Sequence, residues 1–228
     1  MDVYSTEEQQ IEAIKKWWQT NGNSVLIGIV LAIAAVFGYQ SWTQSQQENS
    51  EAAAVLYGQV IEAATAADQN RMQGNTEELE GQLATLNHLG EQLKTDFSDS
   101  EYAVFGALML AKEAVMEGDQ ESAAPQLKWA MEHTSSAATR LIANLRLARV
   151  LAAQEQYDAA LTALDSVQPG SQADAYEEVR GDIYVAMGDQ DKVREAYKKA
   201  MELSADQNEG QSRPILKFKY DNLLVAGN

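Results

Sequence analysis

An all-α chain is predicted, with a single N-terminal transmembrane helix, then a helical-repeat solenoid, then a C-terminal capping helix. Three observations predict it. Between Lys16 and Glu48 there is no formal charge, and the centre of that gap reads Val25-Leu-Ile-Gly-Ile-Val-Leu-Ala-Ile-Ala-Ala-Val-Phe37. Short turns recur around Gly118, Glu155 and Gly188, 37 and 33 residues apart. Only 3 of the 228 residues are proline, while Ala, Leu, Glu and Gln abound, so little opposes helix.

The first element is a cytoplasmic N-terminal segment, 1–23, and the second is the span, 24–42. The span's 19 residues nearly cover a hydrocarbon core of about 30 Å at a rise of about 1.5 Å each. Its nine large apolar residues favour insertion by about 3–5 kcal/mol in sum, with no charge inside to oppose them. A cleaved signal peptide fits poorly, because Asp2, Glu7, Glu8 and Glu12 occupy what would be its basic region. Trp17 and Trp18 on one side, and Tyr39 and Trp42 on the other, suit the two interfacial belts. Lys15 and Lys16 precede the span and the next basic residue is Arg71, which orients the N-terminus to the cytoplasm and the body outside it. Gly28, Ala32 and Ala35 share one helical face, a small-residue strip on which another membrane helix can pack.

After the span comes an N-terminal helix pair, 43–97, divided at Gln73-Gly-Asn-Thr76. Gln44 to Glu51 contains no breaker, so the first helix of the pair is expected to continue from the span. Residues 98–204 then carry three helix–turn–helix units, and the period of roughly 34 residues is that of a tetratricopeptide-like array. Small and large packing positions agree: Leu110, Ala111, Ala123, Leu127 and Ala130 in unit one, then Leu147, Ala148, Leu151, Tyr157, Ala160 and Leu164 in unit two. Unit three supplies Gly181, Tyr184, Tyr197 and Ala200, but Arg180 and Val193 depart from the pattern and predict a looser unit. Ser98 with Glu101, and Ser171 with Asp174, fit capping boxes at the starts of units one and three. Residues 205–228 form a loop and a capping helix from Ser212-Arg-Pro214 to Gly227. Its Ile215, Leu216, Phe218, Tyr220, Leu223 and Leu224 are expected to cover unit three.

After residue 42 lie 15 of the 17 basic and 30 of the 34 acidic residues, a net charge of −15. So acidic a body repels nucleic acid and anionic headgroups. With no cysteine, disulfides and thiolate sites are excluded. His88 and His133 sit in different helix pairs, and no nucleophile elbow, phosphate loop or metal-spaced cluster accompanies them. An enzyme is not expected, nor a cofactor.

A repeat array offers a groove lined by its first helices. By consensus geometry the lining includes Phe105, Leu108, Lys112, Val115 and Met116, then Ile142, Leu145, Arg149 and Ala152, then Ala175, Glu178, Asp182 and Val185. Apolar residues with two cations suit an extended protein segment. The competing account leaves Arg146 and Arg149 solvated, with the apolar members packed against the N-terminal helix pair.

The string Tyr4-Ser-Thr-Glu-Glu-Gln-Gln-Ile-Glu-Ala-Ile-Lys-Lys-Trp-Trp-Gln-Thr-Asn-Gly22 and the stretch Tyr102-Ala-Val-Phe-Gly-Ala-Leu-Met-Leu-Ala-Lys112, with a span between them, resemble the YfgM family along the full chain. That resemblance implies an ancillary subunit of the SecYEG translocon in the bacterial inner membrane, its body periplasmic. It also implies association with a PpiD-like chaperone and a place in the network that receives exported polypeptides. The expected function is therefore a non-enzymatic adaptor. A membrane-bound regulator that sequesters a signalling protein is the alternative, since Ile11, Ile14 and Trp18 line one helical face of the cytoplasmic segment.

Overall fold

The computed structural model describes residues 3–207 and 214–226, with side chains for 9–205 and 214–222. It is helical throughout these residues. Helix α1 runs Val3–Gln73 and α2 Thr76–Asp96. The three units follow as α3 Glu101–Met116 with α4 Gln120–His133, α5 Ala137–Ala153 with α6 Tyr157–Asp165, and α7 Ala173–Met187 with α8 Gln190–Gln207. Helix α9, Pro214–Ala226, comes last. Two compact units result, Met1–Glu51 and Ala52–Asn228.

In the first unit, α1 runs unbroken through the span, as the absence of a breaker predicts. Leu26, Ile27, Ile29, Val30, Leu31, Ile33, Val36 and Phe37 are all exposed on it. The helix is long and apolar enough to cross a membrane, and with almost nothing covering it, it is unlike the core helix of a globular domain.

In the second unit, the recurring turns are one device repeated. At Gly118, Glu155 and Gly188 the backbone adopts φ of 78°, 61° and 79°. The following N–H reaches back to close the helix end each time: Asp119 to the Ala114 carbonyl, Gln156 to Leu151 and Asp189 to Tyr184. These are Schellman closures, which satisfy carbonyls left over at a helix terminus. The turn after α1 uses the same closure, with Gly74 at φ 75° and Asn75 donating to the Asn70 carbonyl. Glu155 alone among the described residues holds this left-handed conformation without being glycine.

The packing positions read from the repeats are buried or half-buried. One cluster joins Ala53, Val60, Ala63 and Ala64 of α1 to Leu86 and Leu93 of α2 and to Leu110 of α3. A larger one runs from Ala111 and Leu127 through Leu147, Leu151 and Leu164 to Tyr176 and Ile183. Unit three is tighter than Arg180 and Val193 led one to expect. Val193 is fully buried, the Tyr197 ring lies against the bare Cα of Gly181, and Arg180 pairs with Asp165 at 2.7 Å.

The expected capping boxes are corrected. Ser100, not Ser98, caps α3, its hydroxyl accepting from the Tyr102 N–H at 3.2 Å. A turn after Phe97, closed by the Ser100 N–H, carries the chain two residues further before helix begins. Glu101 instead takes hydrogen bonds from Thr134 and from both the backbone and hydroxyl of Ser135. It thereby fixes the loop into α5, which Ser136 caps. Before α7, a single 3-10 turn, Gly170–Gln172, absorbs Ser171, and α7 starts from Gln172 without a side-chain cap.

The capping helix is also corrected in part. Leu216 is buried and Tyr220 half-buried in a cluster with Val193, Tyr197 and Ala200, but Ile215 and Phe218 are exposed. Helix α9 touches α8 along one narrow face, so neighbours of Leu216 in sequence point away. Ser212, Gly227 and the side chains of Leu223 and Leu224 lie outside the described residues.

Candidate functional site

Helices α3 and α5 form the walls of an open cleft of about 340 Å³, floored by Leu127 of α4. Ala111, Lys112, Val115 and Met116 line one side, and Arg146, Arg149 and Val150 the other. The expected groove residues Lys112, Met116 and Arg149 are thus brought together, with Ile142 exposed on the same helix as Arg149. Successive side chains reach this side because residues three and four apart share a helical face.

Several members of the expected lining are placed differently. Leu145 is only 8% exposed and belongs to the core shared with Tyr176 and Val179 of α7. Helix α5 is central, packed against α4, α6 and α7, so most of its circumference is inside. Leu108 is half-buried between two core clusters. Phe105 packs its ring 6.0 Å from that of Tyr57 on α1, as the competing account of the sequence anticipates. Asp182 accepts hydrogen bonds from the Tyr197 hydroxyl at 2.6 Å and from Lys219 Nζ of α9 at 2.7 Å.

The two cations singled out in sequence have opposite surroundings. Lys112 Nζ meets Glu113 at 2.9 Å and Asp68 of α1 at 3.2 Å, and Arg71 holds Glu113 from the other side at 2.9 Å. Burial pulls the Lys112 pKa down, but the hydrogen bonds it donates to Glu113 and Asp68 outweigh this and leave the pKa raised. Arg149, and Arg146 one turn before it, are exposed and have no ion-pair partner among the described residues. The expected lining omits Ala111, Leu127, Val150 and, the charged one among them, Arg146. Its spacing of three from Arg149 is the signal that locates it.

At unit three, Lys219 also bonds Glu178 at 2.9 Å. Burial opposes its charge, yet Asp182 and Glu178 raise its pKa overall. Burial and the Asp182 carboxylate likewise push the Tyr197 phenol up. The residues Glu178 and Asp182 at groove positions of α7 are therefore engaged by the chain's own last helix. His133 stacks on Trp129 with ring centroids 3.9 Å apart, an arrangement of packing rather than of chemistry.

A helix long and apolar enough to cross a membrane, a helical-repeat body and an open, largely apolar cleft whose two arginines have no ion-pair partner among the described residues are the parts of a membrane-anchored scaffold. A family model described as a tetratricopeptide repeat-like domain matches residues 15–225. Proteins called "Ancillary SecYEG translocon subunit" align along nearly the whole chain. That of Haemophilus influenzae is 30% identical over 95% of this chain and 97% of its own. Those of Escherichia coli K12 and Neisseria gonorrhoeae are 27% and 28% identical, over 99% and 98% of this chain and 100% of theirs. The chain belongs to this family of ancillary translocon subunits. No solved structure matches it.

Proposed function

We propose that the chain is a non-enzymatic adaptor of the bacterial inner membrane, seated beside the SecYEG translocon and linking it to periplasmic chaperones of the PpiD kind that handle exported proteins. The observation carrying this reading is the full-length similarity to ancillary SecYEG translocon subunits in a chain with one uncharged span. Residues 1–23 are cytoplasmic, 24–42 cross the membrane, and the helix pair 43–97, the repeats 98–204 and the closing segment 205–228 lie in the periplasm. Lys15 and Lys16 support that orientation. A single anchor concentrates the body near membrane partners without any added contact. Gly28, Ala32 and Ala35 form the strip toward another membrane helix, and a Cβ built at Gly28 meets nothing within 4 Å. The partner surface of the body is the α3–α5 cleft, with Lys112, Val115, Met116, Arg146 and Arg149.

Photocrosslinking groups placed at Ala32 and at Met116 in intact membranes test the reading. Crosslinks from Ala32 to translocon subunits, and from Met116 to a chaperone or an exported chain, are expected. Protease added to spheroplasts should degrade the body and spare a short N-terminal fragment; an intact chain reverses the topology. A regulator-sequestering role, which the exposed Ile11 and Ile14 favour, is distinguished by crosslinks from Ile14 to a cytoplasmic protein.

A further inference from the structure

The cleft between α3 and α5 is unlike the rest of this acidic chain. Its surface is largely apolar, through Leu127 of the floor, Val115 and Met116 of α3 and Val150 of α5. Its α5 wall also carries Arg146 and Arg149, which have no carboxylate partner among the described residues of a chain of net charge −17. Lys112 at the edge is already neutralised by Glu113 and Asp68. Elsewhere on the first-helix face the chain supplies its own counter-charge, Lys219 answering Glu178 and Asp182 of α7. At the cleft, no described residue brings the complementary charge.

We infer that the cleft takes an extended acidic and apolar segment within a partner protein. One bulky apolar side chain seats over Leu127 between Met116 and Val150, and carboxylate side chains next to it pair with Arg146 and Arg149. Charge complementarity selects the occupant. The two guanidiniums are neighbours on one helical face, about 5–6 Å apart at Cβ. Carboxylates on alternate residues of an extended chain, about 7 Å apart, can meet both. Arginine presents a planar fork that binds carboxylates in pairs of hydrogen bonds. A basic apolar segment is rejected by the same two charges, so the cleft distinguishes segments of equal hydrophobicity by their sign.

The inference rests on the cleft being the adaptor's partner surface. The test uses the full chain in nanodiscs of zwitterionic lipid and fluorescent octapeptides blocked at both ends. One peptide carries two leucines flanked by aspartates; its twins replace the aspartates with asparagines or with lysines. Anisotropy should show the acidic peptide binding at least about tenfold more tightly than the asparagine twin, as charge-assisted hydrogen bonds of ordinary strength imply. The lysine twin should bind weakest, and added salt should weaken only the acidic peptide. Arg146→Gln with Arg149→Gln should erase the preference without moving the melting temperature. Met116→Glu, at an exposed position, should expel the acidic peptide by placing a carboxylate in the cleft. Equal binding of the acidic and asparagine peptides, or a preference that survives the double substitution, overturns the inference. If that happens while Ala32 still crosslinks to the translocon, the adaptor reading stands and only the ligand chemistry falls.

Discussion

The two ends of the first-helix face are finished in opposite ways. At α7, Glu178 and Asp182 are engaged by Lys219 of α9, and Leu216 buries itself beside Tyr197. Between α3 and α5, the apolar cleft stays open and Arg146 and Arg149 have no ion-pair partner among the described residues. The repeat geometry is the same at both places. Equivalent consensus positions thus say where a side chain points, whereas the rest of the chain decides whether that direction is vacant.

The strongest way to break this contrast is to delete residues 214–228. Leu216 loses full burial, about 1.5–3 kcal/mol, and the charged hydrogen bonds of Lys219 are worth about another 2. Thermal unfolding of the shortened chain should therefore fall by roughly 4 kcal/mol in stability. Unchanged melting, without aggregation, would show that α9 does not close unit three.

Next in size is Lys112→Glu, which sets a third carboxylate beside Asp68 and Glu113. Lys112 is 42% exposed in its side chain, so water limits the cost to about 1–2 kcal/mol. Denaturant titration measures it, and a neutral result would mean that the α1–α3 ion network is not formed.

A third expectation concerns alkaline pH. Burial raises the Tyr176 phenol to about 12, where its hydroxyl donates to the Leu141 carbonyl at 2.8 Å. In the folded chain it keeps its proton above the pH of about 10 at which an unfolded tyrosine loses it. Its contribution is therefore whole below about pH 10 and is lost as pH climbs toward the folded value. Tyr197 and Lys219, also raised, act in the same sense. Melting temperature should fall from about pH 10 upward, and Tyr176→Phe should make the fall shallower.

Smaller still is Glu155→Gly, which relieves left-handed strain at the turn of unit two and should raise stability by about 0.5–1 kcal/mol. Arg149→Glu comes last: it should change stability by less than about 0.5 kcal/mol, in contrast with Lys112→Glu at the other wall of the same cleft. A large loss at Arg149 would mean that it has a structural partner and that the cleft is not vacant.

The fold was legible because a repeat states itself three times. Gly118, Glu155 and Gly188 could be aligned by spacing alone, and all three prove left-handed, including the glutamate. Burial at Ala123, Ala148, Ala160 and Ala200 followed from the same alignment. Caps were less legible, because Ser98 and Ser100 both suit an N-cap and only the turn at Phe97 chooses between them. The groove was half legible. Lys112 and Arg149 are alike in sequence, but Lys112 is held both by its neighbour Glu113 and by Asp68, which lies 44 residues away on α1. Ile215 and Phe218 failed for a related reason: an apolar residue announces that it can be buried, and only the width of the α8 face sets how many are.

Because α2 packs on α3, α3 on α4, and so on to α8 on α9, nearly every contact closes a short loop of chain. Such topologies fold fast and can grow one helix at a time as the polypeptide becomes available. The 13-residue helix α9 then packs after the eight helices described before it. Until it arrives, Val193 and Tyr197 lack their cover and Glu178 and Asp182 lack Lys219. The arrival of α9 thus changes what unit three shows to solvent: a chain halted before residue 214 would leave that apolar and acidic surface uncovered.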